Sequence, residues 1–187
     1  MQDAASNADL GSLPQVLSLA GWQPDAGSYG TGDAKVMDVQ FMRDDGGEIG
    51  LLEGGEPVAV TVTVRAEAEL HQPIIGFHVK DRLGQPLFGD NTHLAYRDHD
   101  ITVAPGETLR ARFVFSLPLL LTGDYAMTVA VATGTLEDHV MHQWVDDALM
   151  FKVRSPLMNG VMVGMPMLDI KLTHERSLAT AAQDANR

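Results

Sequence analysis

Residues Val60–Arg65 read Val-Thr-Val-Thr-Val-Arg, and this alternation of apolar and polar side chains decides the class of fold. Successive side chains of a strand point to opposite faces of a sheet, so a period of two predicts a strand with one buried face. The same period recurs at Ile75–Lys80, Arg110–Ser116, Tyr125–Ala132 and Val145–Val153, with small or polar residues in the second set. We therefore expect a chain built from amphipathic strands.

Turn-forming residues separate these runs. Gly, Pro and Asp cluster at 44–47, 53–57, 83–86, 104–107 and 122–124, where each cluster is typical of a reversal of the chain. The strands are predicted over about 34–43, 57–68, 73–81, 86–91, 107–117, 123–133, 142–153 and 163–173. Strands at this spacing, without helical periods between them, predict an all-β protein, an antiparallel β-sandwich of seven to eight strands.

Three parts are expected along the 187 residues. Residues 1–28 are rich in Ala, Ser, Gly and Pro and are interpreted as a linker or tether. Residues 29–155 form the sandwich, and residues 156–187 carry a separate C-terminal strand and tail. An apolar strand edge has to be covered, either by the chain's own sheet or by a neighbouring chain. Exchange of this strand across a two-fold axis would make 156–187 a dimerisation element of a homodimer.

The composition excludes several classes of partner and site. Acidic residues number 25 against 13 basic ones, giving a formal net charge of -12 without a basic cluster, which argues against nucleic acid and anionic membrane surfaces. A neutral glycan or a protein partner fits this charge. The chain has no cysteine, which excludes disulfides, thiolate catalysis and cysteine-based zinc sites. Without a long apolar run or a secretory signal pattern, we expect a cytoplasmic location.

Enzymatic signatures are missing from the sequence. It contains neither a Gly-x-x-x-x-Gly-Lys-Ser/Thr phosphate loop nor a Gly-x-Ser-x-Gly elbow. A glycosidase needs two carboxylates flanking one cleft, whereas Asp146 and Asp147 are adjacent on a predicted strand and are expected to face opposite sides. His139 and His142 are likewise expected to point apart, which argues against a shared metal. We predict a binding domain without catalytic residues, metal or cofactor.

The outward set of the middle strands offers a candidate binding face. If Phe77, Val129 and Phe151 and their alternating neighbours fill the core, the other face shows a tryptophan, small residues and a few polar groups. A flat aromatic surface with fixed polar groups is what sugar recognition requires. The predicted glycan-binding residues are His78, Thr128, Ala130, His142, Trp144 and Asp146.

Two further interpretations of this face stay open. In one, the loop residues Tyr96, Arg97 and Asp98 form a wall of the binding groove. In the other, Trp144 fills the core and the small residues pack under a loop or a partner chain, so that the face binds no sugar.

Several short phrases in a fixed order resemble a known domain. They are Tyr29–Ala34, Gly55–Pro57, Gly76–Gly84, Phe88–Thr92, Pro105–Glu107, Gly123–Tyr125 and Trp144–Val153. In this order and spacing they are similar to the C-terminal domain of the Wzt-type ATPase of O-antigen ABC transporters, over about residues 28–153. Each phrase by itself is weak, but the ordered set is specific.

The resemblance implies an Ig-like β-sandwich that follows a nucleotide-binding domain in the same polypeptide. It also implies recognition of the terminal, often capped, end of a finished O-antigen polysaccharide at the inner face of the bacterial inner membrane, next to the permease subunit. The alternative is a structural module that dimerises the transporter ATPase without touching the glycan. The sequence does not identify the glycan, its linkage or its cap.

Overall fold

The computed structural model describes residues 21–24, 26–155 and 161–173. Seven long strands carry the fold, and their bounds are β2 Ala34–Arg43, β3 Pro57–Ala66, β5 Pro73–Asp81, β6 Pro86–Asn91, β8 Thr108–Ser116, β10 Gly123–Gly134 and β11 His139–Val153. Within these residues the other elements are five two-residue strands and one helix: β1 Ser28–Tyr29, β4 Leu70–His71, β7 Thr102–Val103, β9 Leu119–Leu120, β12 Val163–Gly164 and α1 His93–Tyr96.

The long strands form two antiparallel layers. One sheet has five strands in the order β1-β11-β10-β5-β6, and the other has three in the order β2-β3-β8. Two small pairs, β4 with β7 and β9 with β12, lie outside these sheets. The all-β, antiparallel prediction is confirmed, and the seven predicted strands between residues 34 and 153 are present with small shifts at their ends.

The core lies between the two sheets and is made of the apolar members of each alternation. On β3, Val58, Val60, Val62 and Val64 are completely buried. The predicted core sets on β5, β10 and β11 are also buried, which confirms the residues assigned to the inward faces of these strands. Contacts between aromatic rings add to this packing, and the ring centroids of Phe41 on β2 and Phe151 on β11 are 5.0 Å apart. The two sheets are therefore held together largely by apolar burial.

Tyr125 forms a corner at the start of β10. Its hydroxyl donates a hydrogen bond of 2.7 Å to the Leu121 carbonyl, four residues upstream. Burial and the nearby Asp81 carboxylate raise the pKa of the Tyr125 hydroxyl, so the donor stays protonated. A tyrosine bonded back to the preceding chain at this point is a feature of Ig-like sandwiches.

The C-terminal strand differs from the prediction of a strand over 163–173. Only Val163–Gly164 pairs, and it pairs with Leu119–Leu120 of the same chain. Gly164 weakens a strand because it has no side chain to pack, and Pro166 has no backbone N–H to donate to a ladder. The strand therefore does not continue through the alternating residues that follow. Exchange of this segment between two chains stays a prediction.

The predicted tether and the tail fall largely outside the described residues, which leave out 1–20, 25, 156–160 and 174–187. In the described part of 1–28, Trp22 and Ala26 pack against the core, and the Gln23 N–H donates to the Ala148 carbonyl over 2.9 Å. Packing thus extends to residues before the predicted boundary at 29.

Candidate functional site

A groove of about 500 Å³ lies on the outer face of the five-stranded sheet. Its floor follows from the strand register, which brings Trp144 of β11, Ala130 of β10 and Gly76 of β5 into one row across the sheet. Thr128 and His78 form the next row. These side chains belong to the outward set of each alternation and point away from the space between the sheets. Those of His78, Ala130 and Trp144 are partly exposed, whereas Thr128 is buried within the groove floor.

Trp144 is the centre of an aromatic cluster at one side of the groove. Its ring is stacked on Tyr29 of β1, with centroids 6.0 Å apart and planes 23° apart. The His78 ring lies on another side, 5.1 Å away and tilted by 54°. Trp144 is only partly buried and is not part of the core, while Tyr29 is 60% exposed. The cluster therefore presents ring surface to solvent at the edge of the groove.

His78 is a neutral polar group within this cluster. Burial lowers the pKa of its imidazole below 6.5, the Lys80 ammonium lowers it further, and the Asp146 carboxylate opposes both. At neutral pH the imidazole is therefore uncharged and presents one donor and one acceptor nitrogen.

Glycines allow β6 to approach the floor closely. A Cβ placed on Gly89 would lie 2.3 Å from the Phe77 carbonyl oxygen and 2.7 Å from the His78 Cα. A Cβ on Gly76 would lie 2.9 Å from the Asn91 Cβ. No side chain fits at either position without moving the strand, so these two glycines keep β6 close to β5.

Lys80 connects two carboxylates at the end of the groove floor. Its ammonium lies 3.1 Å from both Asp146 Oδ1 and Asp147 Oδ1, and the side chain is 16% exposed. The expectation that these two aspartates face opposite sides is wrong. A register irregularity in β11 and a φ of 50° at Asp147 interrupt the alternation, so that both carboxylates reach the same lysine.

Asp146 also contacts the groove floor. The Thr128 hydroxyl donates to Asp146 Oδ1 over 3.2 Å. Burial raises the pKa of the Asp146 carboxyl, but hydrogen bonds from Lys80 and the Trp144 indole, the Lys80 charge and the Thr128 hydroxyl together lower it below its ordinary value. The carboxylate is thus ionised at neutral pH, and its hydrogen bond with the Trp144 indole helps to orient that ring.

His142 lies away from the groove, in contrast to its predicted outward position. A second register irregularity, between Val131 and Ala132, places Met141 rather than His142 on the groove side of β11. The His142 side chain is buried, with Nδ1 at 2.9 Å from the Thr31 hydroxyl and Nε2 at 2.9 Å from the Thr133 hydroxyl.

The segment Tyr29–Ala34 packs against β11 through contacts with His142. Asp33 Oδ2 lies 3.3 Å from His142 Nδ1, and the Gly32 N–H donates to the His142 carbonyl over 2.9 Å. A Cβ on Gly30 would lie 2.3 Å from that carbonyl oxygen, so the close approach requires glycine. His142 is a positioning residue that holds this segment, and with it Tyr29, against β11.

Four of the six predicted site residues line the groove: His78, Thr128, Ala130 and Trp144. Asp146 supports two of them from the side, and His142 acts through the segment that carries Tyr29. Sequence reasoning missed several groove residues, among them Phe88, Asp90, Asn91, Leu136 and Met141. It also missed Tyr29, which stacks on Trp144 beside the groove. Tyr29 reaches Trp144 through a strand pair that joins residues more than a hundred positions apart, and no local pattern indicates that pairing.

The loop residues predicted as a groove wall line a separate cavity. Tyr96, Arg97 and Asp98 face a space of about 330 Å³ between the segment that contains α1 and the end of the β10–β11 hairpin. Within the described residues, no cluster of His, Cys, Asp and Glu could hold a metal ion, and no helix has the length and hydrophobicity to cross a bilayer.

Comparison with known proteins identifies a family and a similar fold. Residues 25–165 match the model of the family described as Wzt C-terminal domain. A crystal structure of the C-terminal domain of Wzt superposes with a TM-score of 0.71 at 21% identity, covering 83% of this chain and 92% of that one. A sequence comparison with curated proteins gives no match.

Other structural similarities are partial. A β-glucuronidase of glycoside hydrolase family 2 matches with a TM-score of 0.33 at 12% identity, over 63% of this chain and 11% of that one. A β-glucosidase from Listeria innocua matches with a TM-score of 0.31 at 13% identity, over 65% and 16%. These values are too low to bear on function. The family match covers most of the chain and agrees with the fold, so the chain belongs to the Wzt C-terminal domain family, a non-catalytic domain of an ABC transporter.

Proposed function

We propose that the groove binds the terminal end of an O-antigen polysaccharide without cleaving it, and that binding selects finished chains for export by the ABC transporter. Two observations support this proposal. The family connects the chain with O-antigen transport, and the groove combines exposed aromatic rings with a floor of small residues.

The aromatic cluster is the observation that carries the proposal. Sugar rings present C–H faces that pack on aromatic surfaces, while their hydroxyls need fixed hydrogen-bonding partners. Trp144 and the adjoining Tyr29 supply the rings, and His78 and Asn91 supply uncharged polar groups at the groove. Ala130 and Gly76 leave space above the floor where a larger side chain would fill it.

The charges of the site favour binding over hydrolysis. A glycosidase requires a protonated carboxylic acid opposite a second carboxylate. Asp146 has a lowered pKa and is held by Lys80 together with Asp147, so it is not a proton donor at neutral pH. Neither of these aspartates lines the groove. The described side chains therefore suit recognition of hydroxyl groups.

The wider arrangement follows from the transporter. We infer that the chain works at the cytoplasmic face of the inner membrane, attached to a nucleotide-binding domain of the same polypeptide and next to the membrane permease subunit. A domain in that position meets the polysaccharide before export, where an end-specific binding site can act as a gate.

Isothermal titration with O-polysaccharide from the strain that carries the gene tests the proposal. We expect saturable binding to the wild-type chain, stronger for the polymer with its native terminal cap than for matched uncapped polymer. Trp144→Ala should abolish binding with an unchanged melting temperature, because Trp144 lies outside the core. Equal binding by Trp144→Ala, or no saturable binding to the wild type, would contradict the proposal.

A second function, dimerisation of the transporter ATPase, is favoured by the C-terminal segment. The side chains of Met165, Leu168, Ile170 and Leu172 are between 73% and 105% exposed, although all four are apolar. A second copy of the chain that covers them would remove this apolar surface from water. Both functions can coexist, since the segment and the groove use different residues.

Sedimentation of charge variants tests dimerisation. Leu168→Glu combined with Ile170→Glu should convert a dimer into a monomer, whereas Leu83→Glu, at a turn whose side chain is 74% exposed, should leave the dimer intact. A wild-type monomer, or a dimer that survives the double substitution, would contradict this function and leave the glycan groove unaffected.

A further inference from the structure

The second cavity adjoins the groove. Ile74 and Thr135 line both spaces, so the groove and this cavity, which we name the side cavity, share a wall. Ile74 is nearly buried and belongs to the outward row of β5, next to Ala132 of β10. A chain-like ligand that lies along the groove floor therefore reaches the side cavity at the Ile74–Thr135 end.

The side cavity has the same kind of chemistry as the groove. Tyr96 contributes an aromatic ring that is 49% exposed and lies 5.4 Å from the His99 ring. Arg97 Nε lies 3.6 Å from Asp98 Oδ2, so their charges largely cancel. An aromatic ring beside a balanced pair of donor and acceptor groups fits a neutral, hydroxyl-bearing ligand better than an ion.

The wall that carries Tyr96 is anchored to the sandwich. The Thr92 hydroxyl accepts a hydrogen bond from the Ile75 N–H, and the Thr92 carbonyl accepts one from the Tyr96 N–H over 3.1 Å. On the other side, Gln72 Nε2 donates to the His99 carbonyl over 2.6 Å. These bonds hold the segment in place before any ligand arrives, which reduces the entropy lost on binding.

Gln72 also has an unusual backbone conformation. Its φ is 51°, a left-handed value that residues other than glycine rarely adopt. Its N–H donates to the Ile101 carbonyl over 2.9 Å, which keeps the residue in this conformation. Strain of this kind is concentrated at binding sites, and here it occurs in a residue that lines the side cavity.

We propose that the side cavity is a second saccharide subsite, which holds a neutral sugar unit further along the same glycan whose end occupies the groove. This inference rests on the proposed glycan-binding function. It adds that recognition extends over several sugar units, with Tyr96 as the aromatic contact of the second subsite and Arg97 and Asp98 as partners of its hydroxyls.

A length series of ligands tests the second subsite. Fragments of increasing length that keep the terminal cap are prepared by partial hydrolysis of the O-polysaccharide, and each is titrated into the full chain. Wild-type affinity should rise when the fragment becomes long enough to span both spaces. Tyr96→Ala should lower affinity for long fragments by about tenfold, the size expected for one lost aromatic contact, and leave the shortest binding fragment unchanged.

Leu94→Ala is the matched control, since Leu94 is 67% exposed on α1 and lines neither space. It should bind every fragment like the wild type. If Tyr96→Ala binds long fragments as tightly as the wild type, or loses affinity equally for all lengths, the second subsite is wrong and the groove stands. If the wild type binds neither the fragments nor the polymer, the proposed function fails and the subsite with it.

Discussion

The two outer faces of the sandwich come from the same alternating pattern and differ in what the outward set contains. On the five-stranded sheet, the outward residues in the middle are small or aromatic, such as Ala130, Gly76 and Trp144. On the three-stranded sheet, the register aligns Lys35 with Arg65, and Gln40 with Thr61 and Arg112.

Long charged side chains on the three-stranded sheet stand above its surface. Arg65 pairs with Glu67 at 2.6 Å, and Arg112 pairs with Asp44 at 2.8 Å, so these residues bind one another and solvent. Surface pairs of this kind contribute little to stability. A strand pattern therefore fixes which side chains point outward, and their size and chemistry decide whether the face forms a groove.

The largest difference between the faces should appear when their central outward positions are enlarged. Ala130→Leu fills the groove floor and should weaken polysaccharide binding by about a hundredfold, or about 2.7 kcal/mol. Thr61→Leu, at a central position of β3 on the other face, should leave binding unchanged. Both variants should unfold within about 0.5 kcal/mol of the wild type, because neither position faces the core. Titration and chemical denaturation measure these effects, and a loss of binding by Thr61→Leu would remove the distinction between the faces.

The close approach of β6 should be the next most sensitive feature. Gly89→Ala places a methyl group against the Phe77 carbonyl and should lower the free energy of unfolding by about 1–3 kcal/mol. Gly50→Ala is the control, since a Cβ there meets nothing within 4 Å, and it should change stability by less than about 0.5 kcal/mol. Urea denaturation of both variants gives the comparison. Equal stabilities would mean that β6 moves away freely.

The contact between Thr31 and His142 allows a smaller test of how Tyr29 is held. Thr31→Val removes a hydroxyl that lies 2.9 Å from a buried imidazole nitrogen and should destabilise the chain by about 1 kcal/mol. Polysaccharide affinity should fall several-fold, because Tyr29 loses its support against Trp144. Thr63→Val, on the outer face of the three-stranded sheet, should change neither quantity. Unchanged affinity of Thr31→Val would show that Tyr29 is positioned by its strand pairing with β11 alone.

The smallest expected effect is a pH dependence from His78. Its folded pKa lies below the ordinary 6.5, so the unfolded chain binds the proton first as pH falls. Above about pH 6.5, His78 is neutral in both the folded and the unfolded chain, and its contribution to the free energy of unfolding is at its maximum. As pH falls from there toward the folded pKa, the unfolded chain binds the proton and the free energy of unfolding decreases. Denaturation curves between pH 7.5 and pH 5 should show a shallower decline for His78→Gln, and an identical decline would contradict the assignment.

The fold was largely predictable because each strand carries its own signal. Val58–Val64 and the inward sets of β5, β10 and β11 reveal their buried face in the sequence itself. The segment 163–173 shows the limit of that signal, because it alternates but contains Gly164 and Pro166, and only two of its residues pair with a strand in the described part of the chain.

The site was predictable in its centre and not at its edges. His78, Thr128, Ala130 and Trp144 line the groove because Thr128 pairs with His78, and Ala130 with Trp144, in the expected register. His142 does not, and Asp146 and Asp147 share one lysine, because register irregularities in β11 change which side chains share a face. A bulge inserts one residue into a ladder and leaves no reliable signal in the sequence of the strand.

The sequence by itself determined the all-β class, the positions of the seven long strands and the alternating set of apolar side chains that each strand buries between the sheets, since a period of two is a local property. Only the tertiary structure decided the groove. The stacking of Tyr29 on Trp144, the burial of His142 and the side cavity beside Ile74 all join residues that are far apart in the chain, and their geometry is set by strand pairing and packing rather than by any local preference.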